Sequence, residues 1–256
     1  MTMTNVVDNI TNPTTKGRGR TVLDWPDYFG EMGATYDQRA FSGSAMSALA
    51  SRELAIVTDR IGPGPGSVLD IGAGTGRFTT ALLDAGWKVT SFDGSARMLA
   101  VIGERAPAAE LVEGRLGEPL PFATAAFDAL VAMRVVKYVA DTGAALRQMA
   151  RVVAPGGRLV FDVANRRSLA RFGYAGSAMG MVTSRSLRVM ASAAGLAIEE
   201  IHDGPRLPHP VLVRAGTPRS AALAAVVERN LNRVLGCEVG SRSLIVVAAR
   251  VSDGGT

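Results

Sequence analysis

Residues that could hold a ligand are concentrated in one short stretch of the chain. The segment 68–76 reads VLDIGAGTG, an apolar run that leads into glycines at alternate positions, Gly72, Gly74 and Gly76. Asp70 lies two residues before the first of these glycines, and Asp93 ends the next apolar run. Glycines that follow a strand let backbone N–H groups and a ligand approach each other closely. The pattern predicts a site for a nucleoside-bearing cofactor at the carboxyl edge of a parallel sheet.

The glycine spacing separates two classes of cofactor. In the dinucleotide fingerprint, G-x-G-x-x-G, the third glycine helps to seat a pyrophosphate at a helix N-terminus. Here the three glycines are each two residues apart. Asp70 would repel a pyrophosphate but could hold an ammonium group, directly or through water. Asp93, 21 residues after Gly72, could accept both hydroxyls of a ribose. These residues favour S-adenosylmethionine; the alternative is that the glycines form only a tight turn and Asp93 only caps a helix.

Apolar runs and turn residues predict the elements that position this loop. The predicted strands are 67–71, 87–92, 109–112, 127–133, 158–163, 196–201 and 243–251. The predicted helices are 44–61, 76–85, 95–105, 141–153, 183–194 and 221–235. Alternation of strands and helices predicts right-handed βαβ units and a doubly wound α/β sheet. The connector 62–66, GPGPG, separates the first helix from the sheet.

Four ordered motifs resemble those of the class I S-adenosylmethionine-dependent methyltransferases, above all the small-molecule group of the type 11/25-like kind. They are 70–76 DIGAGTG, 91–95 SFDGS with Met98-Leu99, 120–122 LPF followed by 126–130 AFDAL, and 151–159 RVVAPGGRL. The resemblance implies a Rossmann-like sheet of seven strands in the order 3-2-1-4-5-7-6, with the last strand antiparallel. It also implies one methyltransferase domain (67–252), with a disordered tail (1–20), an N-terminal helical cap or lid (21–66) and an acceptor-site insertion (166–182).

The resemblance assigns cofactor contacts residue by residue. The implied cofactor-binding residues are Tyr36, Asp70, Gly72, Ala73, Gly74, Gly76, Asp93, Gly94, Ser95, Met98, Arg115, Leu116 and Met133. Asp93 would bind the ribose, Met98 would lie against the adenine, and Tyr36 would close over the cofactor. Arg115 stands where relatives often carry an acid for the adenine amino group. A backbone contact from Arg115 or Leu116, or the side chain of Glu118, would have to replace it.

Methyl transfer needs positioning more than it needs a base, because a well-held pair of reactants gains effective molarities of ~10⁵–10⁸ M. Tyr138 follows the fourth strand and His209 lies between prolines, so both are candidates to face the acceptor at the sheet edge. Asn165, Arg134 and Lys137 are weaker candidates at the same edge. Relatives often have Glu or His where Lys137 and Tyr138 stand. The alternative is that His209 is a structural residue of a loop.

Composition limits the function classes. The chain has 28 basic and 23 acidic residues, a net charge of +5, and Lys only at Lys16, Lys88 and Lys137. The arginines are dispersed and lack interleaved aromatics, which disfavours nucleic acid as a partner. The single cysteine, Cys237, excludes an internal disulfide, and no residues have metal-ligand spacing, so a metal-independent reaction is expected. The polar N-terminus lacks a secretion signal and no apolar run suits a membrane span, so a cytoplasmic protein is predicted.

The sequence therefore predicts a methyltransferase that uses S-adenosylmethionine to modify O, N or C of a small molecule, such as a natural-product or cell-envelope intermediate. An RNA methyltransferase and a cofactor-binding protein without catalysis remain open. An NAD(P)-dependent oxidoreductase is disfavoured by the glycine spacing and by the lack of a Tyr-x-x-x-Lys pair. The acceptor and the oligomeric state, a homodimer included, are left undetermined.

Overall fold

A mixed sheet of eight strands forms the centre of the protein in the computed structural model. The structure describes residues 25–41, 43–168, 180–207, 209–235 and 239–252. The strands are β1 Ser67–Ile71, β2 Lys88–Asp93, β3 Glu110–Glu113, β4 Phe127–Ala132, β5 Val153–Asn165, β6 Met181–Val182, β7 Leu196–Asp203 and β8 Ser243–Arg250. The predicted tail 1–20 lies outside the described residues, and so does most of the predicted insertion 166–182.

Helices precede the sheet and connect its strands. The described α-helices are α1 Trp25–Gly30, α2 Tyr36–Ala40, α3 Ser44–Ile61, α4 Arg77–Asp84, α5 Ala96–Arg105, α6 Thr142–Val152, α7 Ser184–Ala193, α8 His209–Arg214 and α9 Pro218–Leu235. Short 3₁₀ helices cover Gly33–Thr35 and Val136–Tyr138. None of the described helices is both long enough and apolar enough to cross a membrane.

The strand order confirms the prediction. Neighbouring strands follow the order β3-β2-β1-β4-β5-β8-β7, and β8 runs antiparallel to both β5 and β7. The short β6 adds a parallel pair at the end of β5. Without β6, this is the expected seven-stranded order with an antiparallel last strand. Because the other strands are parallel, their carboxyl ends meet at one edge of the sheet.

Residues 114–126, between β3 and β4, contain no helix and form a loop with a bridge between Leu116 and Glu118. One local expectation was wrong. β5 begins at Val153, five residues earlier than predicted, and Val153 pairs with Phe127. Pro155 disfavours helical backbone in the residue before it, so α6 ends at Val152 and the chain continues as strand.

Buried side chains on the two faces of the sheet make two separate cores. One core packs Leu69, Leu130 and Phe161 under α6 and α7. The other packs Val68 and Val131 with further side chains of the sheet and of helices α3 and α4. With both faces covered, the sheet leaves its carboxyl edge as the natural place for a ligand.

Candidate active site

The glycine segment forms a turn whose backbone conformation favours glycine at three positions. Gly72, Gly74 and Gly76 have φ values of 68°, 57° and 85°, in the left-handed region. A Cβ on Gly72 would lie 2.6 Å from the Cβ of Val135, whereas a Cβ on Gly74 would meet only the Gly72 oxygen within 4 Å. The Gly72 N–H donates to the carbonyl of Phe92 at 2.7 Å, which ties the turn to β2.

Asp93 ends β2 beside this turn. Its Oδ2 accepts the N–H of Gly74 at 2.9 Å, and its Oδ1 accepts the N–H of Ser95 at 2.9 Å. Burial raises the pKa of the Asp93 carboxyl, although the two hydrogen bonds oppose that rise. The carboxylate is therefore held in one orientation at the mouth of β2.

A cavity of about 410 Å³ opens at the carboxyl edge of the sheet between the glycine turn and the N-terminal helices. Eleven of the fifteen predicted site residues line it: Tyr36, Gly72, Ala73, Gly74, Asp93, Gly94, Met98, Arg115, Leu116, Met133 and Tyr138. The structure therefore brings together residues from six separate parts of the chain. Whether each contacts a cofactor stays a prediction.

Three other predicted residues lie next to the cavity without lining it. The buried carboxylate of Asp70 accepts the hydroxyl of Thr79 at 2.7 Å, and burial raises its pKa to about 6. Gly76 packs against Ile102 at the start of α4. Ser95 caps α5 by accepting the N–H of Met98. In this arrangement Asp70 faces Thr79 inside the protein, and the placement gives no support to its predicted contact with an ammonium group.

His202 and Asn165 do not line this cavity either. His209 begins α8, and its side chain is outside what the structure describes. His202 lies on β7, where its Nε2 is 2.8 Å from a carboxylate oxygen of Glu200. Asn165 is buried at the end of β5 and donates to the carbonyl of Ser241 at 3.0 Å. Of the two predicted catalytic residues, Tyr138 is the one whose side chain the structure describes, and it lines the cavity.

Aromatic rings form one wall of the cavity. Phe29 lies 5.8 Å from Tyr36 and 5.4 Å from Tyr138, measured between ring centroids. Tyr36 contacts Phe41 edge-on at 6.2 Å. These rings come from the helices that precede the sheet and from the turn after β4, so the wall exists only when those parts pack together. Such a wall gives this side of the cavity an apolar surface.

Asp37 connects the N-terminal helices to the glycine turn and to α5. Asp37, at the start of α2, accepts the hydroxyl of Thr75 at 2.6 Å and a guanidinium N–H of Arg105 at 2.7 Å. Thr75 belongs to the turn itself, and Arg105 ends α5. One carboxylate thus joins α2 to the glycine turn and to the end of α5.

Sequence reasoning missed a buried cluster of charges behind the aromatic wall. Glu53 accepts hydrogen bonds from Arg134 at 2.9 Å and from Arg77 at 3.1 Å. Both guanidinium groups also lie over the ring of Phe41, at 4.8 and 4.7 Å. Burial alone would raise the pKa of Glu53, but the charges of the two arginines lower it. One signal was available: Glu53 occupies the buried face of α3 with Met46, a position where an acid needs a partner.

The fold and this edge cavity define a Rossmann-like domain of the class I methyltransferase kind. Residues 69–161 match the family model described as "Methyltransferase domain", so the chain contains a methyltransferase domain. The match covers β1 to the middle of β5, including the glycine turn and Asp93.

Curated relatives match the same part of the chain. A demethylmenaquinone methyltransferase of Renibacterium salmoninarum is 40% identical over 106 residues, which cover 41% of this chain and 44% of the relative. A malonyl-[acyl-carrier protein] O-methyltransferase of Erwinia billingiae is 34% identical over 142 residues, which cover 55% of this chain and 53% of the relative. The chain thus spans about half the length of these relatives.

Solved structures share the fold over most of the chain. A chain of the complex between the Haloferax volcanii Trm112 methyltransferase activator and a methyltransferase has a TM-score of 0.63 at 19% identity, covering 90% of this chain and 100% of that chain. An S-adenosylmethionine-dependent methyltransferase of Mesorhizobium loti has a TM-score of 0.61 at 18% identity, covering 81% and 100%. The [4+2]-cyclase SpnF has a TM-score of 0.62 at 20% identity, covering 88% and 96%. At these low identities the likeness shows the fold alone.

Proposed function

We propose that the protein transfers a methyl group from S-adenosylmethionine to O, N or C of a small-molecule acceptor, a biosynthetic intermediate. The observation that carries the proposal is the fixed carboxylate of Asp93 beside the open face of Gly74, within a cavity at the carboxyl edge of the sheet. The methyltransferase domain at residues 69–161 supports the activity. The names of the two curated relatives support a biosynthetic acceptor.

The residues present fit this cofactor. A carboxylate has about four lone-pair positions, and Asp93 uses two of them for Gly74 and Ser95, which leaves acceptors for a ribose diol. The open side of Gly74 leaves room for an amino-acid tail near the turn. Met98 is buried on the same side of the cavity and offers an apolar surface for adenine. In this assignment the cofactor lies along the ends of β1 and β2.

S-adenosylmethionine, when bound, supplies a methyl group on a positively charged sulfur. The protein's part is to hold the acceptor in line and to exclude water, which the rings of Phe29, Tyr36 and Tyr138 do from one wall. Burial raises the pKa of the Tyr36 phenol, against the opposing charge of Arg134, so the phenol stays protonated near neutral pH and can donate a hydrogen bond. An acceptor that is already a good nucleophile then needs no base.

Tyr138 is the proposed residue that faces the acceptor. It ends the 3₁₀ helix after β4 and lines the cavity. We expect Tyr138→Phe to leave binding of S-adenosylhomocysteine unchanged and to lower the methyl-transfer rate by about tenfold or more, within the range for loss of a hydrogen-bonding group in catalysis. An unchanged rate would remove Tyr138 from the proposed mechanism.

Two measurements test the proposed function in order. Calorimetry should show S-adenosylhomocysteine binding at low-micromolar to submillimolar concentration, and NADH binding much more weakly. Incubation with radiolabelled methyl donor should then label members of a metabolite panel, with RNA and an acyl-carrier-protein thioester as separate arms. Equal or tighter binding of NADH overturns the cofactor assignment, and labelling of RNA alone overturns the small-molecule assignment.

A further inference from the structure

A second, smaller cavity adjoins the first, and Arg134 lies between them. Its volume is about 80 Å³, and both Glu53 and Arg134 line it. Arg134 also lines the main cavity, so its side chain separates the two. The other lining residues that carry charge are Lys137, Asp162 and Arg242. At about 30 Å³ per water, the space suits a group of carboxylate size.

The backbone at Arg134 holds this wall in place. Arg134 has a φ of 63°, in the left-handed region that a residue with a side chain rarely adopts. Its N–H donates to a carboxylate oxygen of Asp162, which lies buried on β5. This bond links the residue after β4 to β5, and the guanidinium group of Arg134 donates to Glu53.

Lys137 lies between the small cavity and the ring of Tyr138. Its ammonium nitrogen lies 4.9 Å from the ring centroid of Tyr138, the residue that lines the main cavity. Lys137 itself lines the small cavity. It forms no ion pair with any carboxylate in the part of the chain that the structure describes. Its charge lies at the junction of the two cavities and acts on the buried carboxyl of Asp162, whose pKa it lowers against the effect of burial.

Positive charge exceeds negative charge at this wall. Glu53 is the shared partner of the guanidinium groups of Arg77 and Arg134, so one carboxylate serves two cations. The small cavity is also lined by two further cations, Lys137 and Arg242, and by a second acid, Asp162. Burial raises the pKa of Asp162, against the opposing charge of Lys137. An anionic group that enters the small cavity would balance the excess.

We propose that the wall formed by Arg134 and Lys137 is a subsite for an anionic group of the acceptor, of carboxylate size, and that Lys137 selects it. The proposal rests on the proposed function, because it names the class of acceptor that the methyltransferase site takes. The acceptor lies against Tyr138 with its anionic end toward Lys137. The subsite orients the acceptor and takes no part in breaking or forming bonds.

A matched pair of probes tests this selection. Protein saturated with S-adenosylhomocysteine is titrated with 2-naphthoate and with its uncharged isostere 2-naphthamide, by calorimetry. We expect the naphthoate to bind about tenfold or more tightly than the amide, a preference of the size that one partly screened charge pair supplies. Lys137→Met should reduce the ratio to about twofold or less, and Lys137→Arg should restore it.

Lys88→Met is the control, since Lys88 is an exposed lysine at the start of β2, at the edge of the sheet away from the cavities. It should keep the full preference for the anion. The inference is overturned if naphthoate does not bind, if both probes bind equally, or if Lys137→Met keeps the preference. Failure of S-adenosylhomocysteine to bind in the same samples would instead overturn the proposed function.

Discussion

The N–H of Gly74 points directly at the carboxylate of Asp93, with 2.9 Å between nitrogen and Oδ2. The glycine turn after β1 and the acid after β2 are thus one hydrogen-bonded unit across 19 residues of sequence. Because the Ser95 N–H engages the other oxygen, the carboxylate cannot rotate freely. A ribose diol would meet an acceptor that is already oriented, so less entropy is lost on binding.

Asp93→Ala should weaken S-adenosylhomocysteine binding by about 1–3 kcal/mol, the usual worth of hydrogen bonds to a charged group. Calorimetry at constant temperature measures the change. Asp84→Ala, at the exposed end of α4, is the control and should bind normally. Since burial raises the pKa of Asp93, binding to the unsubstituted protein should also weaken as the pH falls and the carboxylate is protonated. An unchanged affinity in Asp93→Ala would refute the ribose assignment.

Gly74→Ala tests whether the open side of the turn is where the cofactor lies. A Cβ there has room in the protein, with only the Gly72 oxygen within 4 Å, but it would occupy the cavity. The substitution should cost about 1–2 kcal/mol of stability from the left-handed backbone and abolish S-adenosylhomocysteine binding. Gly86→Ala has the same left-handed strain, at φ 89°, and equally open surroundings beyond α4. It should lose similar stability and bind normally; parallel loss of binding in both variants would contradict the prediction.

Glu53→Gln should destabilise the protein strongly. The substitution leaves the half-buried guanidinium groups of Arg77 and Arg134 without their buried carboxylate, a change that costs about 3 kcal/mol or more. For a chain of this size we expect the melting temperature to fall by roughly 6–12 °C. Glu199→Gln removes the carboxylate of an exposed pair with Arg158 and should change stability by about 1 kcal/mol or less. Equal effects from the two substitutions would show that the buried cluster is not structural.

Asp70→Asn should stabilise the protein at neutral pH. Folded Asp70 has a pKa of about 6, raised by burial from 3.8, so the folded state binds this proton more tightly than the unfolded state. Stability from this group is therefore present at low pH and is lost as the pH rises from 3.8 through about 6. The melting temperature of Asp70→Asn relative to the unsubstituted protein should rise across that window. S-adenosylhomocysteine binding should not change, and a large loss of binding would return Asp70 to the cofactor site.

Local signals were enough to predict the glycine turn and its partner acid. Gly72, Gly74 and Asp93 follow strands that their own apolar neighbours define, and parallel strands bring their ends to one edge. The N-cap of α5 at Ser95 was also predictable, because capping depends on adjacent residues. The strand order came from the resemblance of four motifs.

Long-range pairing was not predictable in the same way. Glu53 and Arg134 are 81 residues apart, and neither carries a mark of its partner. Asp70 precedes the glycines as expected, but its carboxylate accepts a hydrogen bond from Thr79, a residue inside α4. The two-residue strand β6 was missed because its pairing depends on the end of β5 rather than on its own sequence.

The position of β8 between β5 and β7 bears on how the protein is made. Residues 243–250 supply an interior strand with a buried centre, so the two flanking strands lack their shared neighbour until this segment leaves the ribosome. Nascent chains stalled before residue 243 should therefore be cleaved readily by protease, and release of a few more residues should complete the sheet and protect it.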